Sequence, residues 1–142
     1  YNDSVVYQIF QRSFALHGNH AVIYFADHGE EVYDSRDAYM RTDESELLPE
    51  VAHYQFEIPF MVYLSDEFKA NHEDLAKKIS ESVDLKIMNK DLSHILLNLG
   101  GIETPEYNAK YDCFSDEYDN DKKRIVRGSC DFDEVIKGFK AK

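Results

Sequence analysis

Residues Val22–Glu30 read VIYFADHGE, an apolar run that ends on Asp27, His28, Gly29 and Glu30. Across Ala21–Ala26 (AVIYFA) both faces are apolar, which predicts a buried strand of the kind found in the centre of a parallel sheet. Open α/β sheets bind ligands beyond the carboxyl ends of their strands, and this strand delivers an acid and an imidazole there. A carboxylate oxygen and an imidazole nitrogen are both standard zinc ligands, and neighbours in a turn can converge on one ion. Gly29 lets the backbone turn sharply without a Cβ clash. A plainer reading also fits the four letters: Asp27 and Glu30 form a helix capping box, and His28 is an ordinary polar residue.

Upstream, Val5, Val6, Ile9, Phe10 and Phe14 fall at near-helical spacing and predict a helix over 4–16, closed by Gly18. Helix, short turn and buried strand make one unit of an α/β fold. Downstream, residues 30–54 are polar with little periodicity, which predicts a long loop lining a ligand cleft. Glu57–Leu64 (EIPFMVYL) predicts a second strand, parallel to the first, with Pro59 near its start. Ser65-Asp66-Glu67 opens a helix that continues through 71–82 with Leu75, Ile79 and Val83 on one face. Leu92, Ile95, Leu96 and Leu99 recur at helical spacing before Gly100-Gly101. Residues 123–127 (KRIVR) and 132–136 read as short terminal strands. With no repeat, low-complexity tract or linker, residues 1–142 form one domain or part of one.

A length of 142 residues and 43% apolar content suit a domain with its own core. A net charge of −12, from 28 acidic and 16 basic residues, repels phosphate backbones and argues against a nucleic-acid partner. No stretch approaches the roughly 20 apolar residues of a membrane span. The chain opens YNDSVV, with neither an initiator Met nor a signal peptide, and reads as a piece of something longer. Cys113 and Cys130 lack zinc-knuckle spacing; two buried thiols, or one disulfide in an exported domain, both fit. Asp119-Asn120-Asp121 begins like a calcium loop, but Arg124 and Cys130 stand where Gly and Glu are required. Ser13, Ser35 and Ser65 lack a nucleophile elbow, and His17, His20, His72 and His94 read as surface or structural residues.

The block order is distinctive: apolar strand, DHGE, polar loop, QFEIP at 55–59, a second apolar strand, then DLSHILLNLGGI at 91–102. It resembles the C-terminal half of the alkaline-phosphatase and sulfatase superfamily. Within that superfamily VIYFADHGEEVYDSRD and GGIETPEYNAKYD are most similar to bacterial phosphoethanolamine transferases, and the resemblance covers residues 1–133. It implies an α/β fold, the C-terminal portion of a sulfatase-like, mostly parallel sheet with flanking helices. It also implies that Asp27 and His28 hold a catalytic zinc or another divalent metal.

By the same resemblance the nucleophile, a threonine, lies upstream of Tyr1, and neither Thr42 nor Thr104 has a nucleophile-like context. The family's next histidine falls where this chain reads DAYMRT, which leaves Arg36, Arg41 or His53 to hold the substrate phosphate. The implied activity moves phosphoethanolamine from a phospholipid donor to lipid A or a related envelope glycolipid. The implied location is the bacterial inner membrane, with this domain facing the periplasm. Without the N-terminal half of its domain, the segment is expected to be inactive and prone to self-association. Sulfatases, phosphodiesterases and phosphoglycerol transferases share the metal half-site, and a non-catalytic α/β binding module is the rival of another class.

Overall fold

An acidic residue near the start (Asp3) and a basic one near the end (Arg12) suit the macrodipole of the first helix, α1 (Asn2–Phe14). The computed structural model describes residues 2–37, 39 and 46–140. After α1 the chain turns at Gly18, whose φ of 90° favours glycine, and enters strand β1 (Ala21–Phe25). Helix α2 (Pro49–Phe56) precedes strand β2 (Phe60–Leu64), and helices α3 (Asp66–Asn71) and α4 (Glu73–Glu81) follow it. Ser65 pins this junction: its hydroxyl caps α3 by accepting from the Phe68 N–H and donates to the Gly18 carbonyl, each at 3.0 Å. Further on lie α5 (Leu92–Leu99), the hairpin of β3 (Ile125–Val126) and β4 (Cys130–Asp131), and α6 (Phe132–Val135).

The mixed α/β class is as the sequence implied, but β1 and β2 pair antiparallel, in register from Ala21↔Leu64 to Phe25↔Phe60. An apolar run does not encode strand direction. Here the end of α2 abuts the end of β1, through a 3.1 Å bond from the Gly29 N–H to the Gln55 carbonyl. The chain therefore enters β2 where it left β1 and runs back alongside it. With one hydrogen-bonded neighbour among the described residues, β1 is only half-buried.

Two other expectations change. The long polar loop ends early, because residues 49–56 are helical, with Pro49 in the first turn, where a missing N–H costs nothing. Val51, Ala52 and Gln55 form its buried stripe, too thin to register as a periodic pattern. The expected strand at 132–136 is α6, whose first turn carries Asp133 and Glu134 against the helix dipole while Phe132 enters the core.

Among the described residues, two apolar clusters hold the fold. One gathers Leu47, Val51, Ala52 and Phe132 between α2 and α6; the other gathers Ile95, Cys113 and Phe114 against β2 and α4. Cys130 packs on the first and Cys113 lies in the second, both as free thiols, so the disulfide alternative does not hold. Among the described residues no helix is long and apolar enough to cross a membrane.

Candidate metal site

The turn after β1 is held from two sides. Asn89 Nδ2 donates to the carbonyl oxygens of Ala26 (3.1 Å) and Asp27 (2.8 Å). Opposite, the Gly29 N–H donates to the Gln55 carbonyl. A Cβ on Gly29 would stand 2.2 Å from the Tyr54 carbonyl oxygen, so only glycine lets the end of α2 approach this closely.

Within the turn, Asp27 Oδ1 accepts from the His28 N–H at 3.0 Å, and His28 Nδ1 lies 2.8 Å from the Gly29 carbonyl oxygen. A carbonyl oxygen only accepts, so Nδ1 carries a proton, and in the neutral tautomer Nε2 presents its lone pair. That Nε2 stands 3.7 Å from Asp27 Oδ2. Two donors on one tetrahedral zinc, each about 2.1 Å from the ion, lie roughly 3.4 Å apart. The side chains are 39% (His28) and 89% (Asp27) exposed, so both atoms are open to an incoming ion. The donor pair thus fits a divalent cation as half of a site. Among the described residues no group of three His, Cys, Asp or Glu side chains comes together to complete it.

Asp27 and His28 line a cleft of about 1230 Å³ together with Gln55, Glu57, Asn89 and Arg124, over an apolar wall from β2. Arg124 is already engaged: it meets Asp133 through Nη2 at 2.7 Å and Nε at 3.1 Å. That contact, with Lys86 beside it, holds the Asp133 carboxyl below the usual carboxylate range.

Of the remaining sequence candidates, the two that the structure describes, Arg36 and His53, do not line this cleft. Arg36 donates from Nε to Glu31 Oε2 at 3.0 Å, and Glu31 is fully buried. His53 Nδ1 lies 2.6 Å from Glu57 Oε2, with its ring against Tyr54 and Phe139. It approaches the cleft only through Glu57. Arg41 and Thr42 lie outside the described residues. Sequence reasoning missed Asn89, Gln55 and Glu31, whose roles come from long-range hydrogen bonds or burial rather than from a motif.

Together the helices, small sheets and strand-end Asp–His turn make a mixed α/β fold that matches part of a sulfatase-like domain. The C-terminal periplasmic domain of EcEptC from Escherichia coli superposes with a TM-score of 0.81 at 25% identity, over 99% of this chain and 39% of that one. The structure of that domain in complex with Zn matches at 0.80 and 26% identity, over the same shares of the two chains. Phosphoethanolamine transferase EptC of Escherichia coli is 32% identical over 107 residues, which are 75% of this chain and 18% of that protein. Phosphoethanolamine transferase CptA of Salmonella typhimurium is 31% identical over 89 residues, 63% of this chain and 14% of that protein. No family model matches. The chain belongs to the phosphoethanolamine transferase family, and it spans less than a fifth of the length of these relatives.

Proposed function

We propose that this chain is the C-terminal part of the catalytic domain of a zinc-dependent phosphoethanolamine transferase, seated in the bacterial inner membrane and facing the periplasm. The observation that carries this reading is the 3.7 Å convergence of His28 Nε2 and Asp27 Oδ2 at a strand end. The match to a zinc complex of the EcEptC domain supports the choice of metal. When bound, zinc would lower the pKa of a hydroxyl nucleophile and offset charge developing on phosphoryl oxygens.

In this reading a threonine upstream of Tyr1 takes phosphoethanolamine from a phospholipid and passes it to lipid A or a related envelope glycolipid. Asp27 and His28 supply two metal ligands. The family resemblance assigns Arg36, Arg41 or His53 to the substrate phosphate, and His53 would reach the cleft through Glu57. The rest of the domain packs on the apolar side chains that α1 leaves more than a third exposed, Val5, Tyr7, Ile9 and Phe14 among them. Alone, the segment is inactive and self-associates.

The test uses the full-length protein. Asp27→Asn and His28→Ala should each abolish transfer and deplete bound zinc while the circular dichroism spectrum is unchanged. Wild-type turnover with normal metal content in either variant would falsify the assignment.

A further inference from the structure

Asn89 meets the ligand turn across the fold, 63 residues from Ala26 and 62 from Asp27. Both of its contacts are carbonyl oxygens, so the amide nitrogen must face them, and the orientation of the carboxamide is fixed by that chemistry. The β1–β2 ladder stops at Phe25↔Phe60, so these two carbonyls lie just past the last strand pair. Asn89 takes over where the sheet leaves off.

The base under Asn89 is tied into the fold. It opens the 3₁₀ turn Asn89–Asp91, in which the fully buried Asp91 accepts from the Met88 N–H at 3.2 Å. Asp91 is also ion-paired to Lys122 at 2.7 Å, and Lys122 lies over the rings of Tyr118 and Tyr111. Asn89 itself is exposed, so its replacement empties no core.

We propose that Asn89 is a positioning residue for the Asp27–His28 pair. It anchors the backbone on the Asp27 side while the Gln55 carbonyl anchors Gly29, and His28 sits between the two anchors. Since His28 Nδ1 is bonded within the same turn, the direction of Nε2 follows the backbone that these anchors hold. Loss of the Asn89 anchor frees the Asp27 carbonyl and spreads the separation of Nε2 from Oδ2.

The inference rests on the metal reading above, and its test separates the two. Asn89→Asp, a near-isostere that turns a carboxylate toward two carbonyl oxygens, Asn89→Ala and His28→Ala are compared with wild type in the full-length protein. The readouts are zinc affinity by competition with a chromophoric chelator, the visible spectrum with cobalt(II) in place of zinc, and hydrogen exchange across 24–29. For both Asn89 variants we expect zinc affinity lower by roughly tenfold to a hundredfold, an altered cobalt band and faster exchange in the turn, with an unchanged unfolding midpoint. His28→Ala should lose the cobalt band altogether. Asn89 variants with wild-type affinity, spectrum and exchange, beside a His28→Ala that fails, would overturn the positioning role. A wild type that takes up neither zinc nor cobalt would overturn the metal reading. Exchange in the turn would then decide the clamp by itself, faster exchange upholding it and unchanged exchange overturning it.

Discussion

Asp27 and Asp112 are the same side chain put to opposite uses. Asp112 is fully buried, and both its oxygens are engaged: Oδ2 accepts from Asn98 Nδ2 at 2.6 Å and the Tyr107 hydroxyl at 2.7 Å, and Oδ1 accepts from the Phe114 N–H at 3.0 Å. Asp27 is 89% exposed; Oδ1 takes the adjacent amide, and Oδ2 faces an imidazole nitrogen 3.7 Å away. A buried carboxylate with both oxygens engaged organises the chain around it and is closed to an incoming ion. One with spare lone pairs beside a bare nitrogen is available to a cation. Exposure together with hydrogen-bond occupancy therefore separates these two aspartates.

The comparison breaks most readily in unfolding experiments on the complete domain. Asp112→Ala strands three donors in a buried pocket, each costing about 1–3 kcal/mol, so a loss of roughly 3 kcal/mol or more is expected in urea. Asp27→Ala removes an exposed side chain and should change stability by no more than about 0.5 kcal/mol. Equal losses from the two would mean that Asp27 is scaffold after all.

A pair of glycines sharpens the same contrast. Gly29→Ala drives a methyl group to 2.2 Å from the Tyr54 carbonyl, so α2 must move away from the Asp27–His28 turn. Overpacking of this kind costs about 1–3 kcal/mol, and here it should also weaken zinc uptake. Gly18→Ala meets nothing within 4 Å and suffers only the strain of its left-handed φ, roughly 1 kcal/mol, with zinc uptake unchanged. Zinc titration of both variants checks this, and a Gly29→Ala protein with wild-type zinc affinity would detach α2 from the site.

The Asp27–His28 turn was legible in the sequence as a candidate metal site because it is local: an apolar strand, then Asp27, His28 and a glycine. Helices α1 and α5 were legible for a similar reason, since their apolar residues repeat with the helical period over several turns. Strand direction was not, because AVIYFA reads the same in either pairing and the antiparallel choice rests on Gly29 meeting Gln55. Helix α2 hid behind a buried stripe of Val51, Ala52 and Gln55, one of which is polar. Asn89 and Glu31 gave no signal at all. Their importance comes from what they touch, and an asparagine that bonds a turn more than sixty residues away looks like any surface asparagine.

The smallest expected effect concerns the two thiols, which differ as the two aspartates do. Burial, with Asp112 adjacent, pushes the Cys113 thiol from 9.0 up to about 12. Above pH 9 an unfolded chain loses this proton while the folded chain keeps it, so the unfolded state binds fewer protons and stability falls as pH rises. The window runs from about pH 9 to about pH 12, and below it this group contributes no pH dependence. Tyr107, raised from 10.0 to about 12 by burial and by Asp112, acts in the same direction above pH 10. Between pH 9 and pH 10 the slope therefore belongs mainly to Cys113, and it should stay below the ~1.4 kcal/mol per pH unit of one fully displaced proton. Cys113→Ala should flatten the urea midpoint across that interval, whatever its own cavity costs. At pH 8 iodoacetamide should label the half-buried Cys130 well before Cys113, which is 3% exposed. An undiminished slope in Cys113→Ala, or equal labelling of the two thiols, would show that the 109–118 segment opens too readily to be the rigid counterpart of the Asp27 turn.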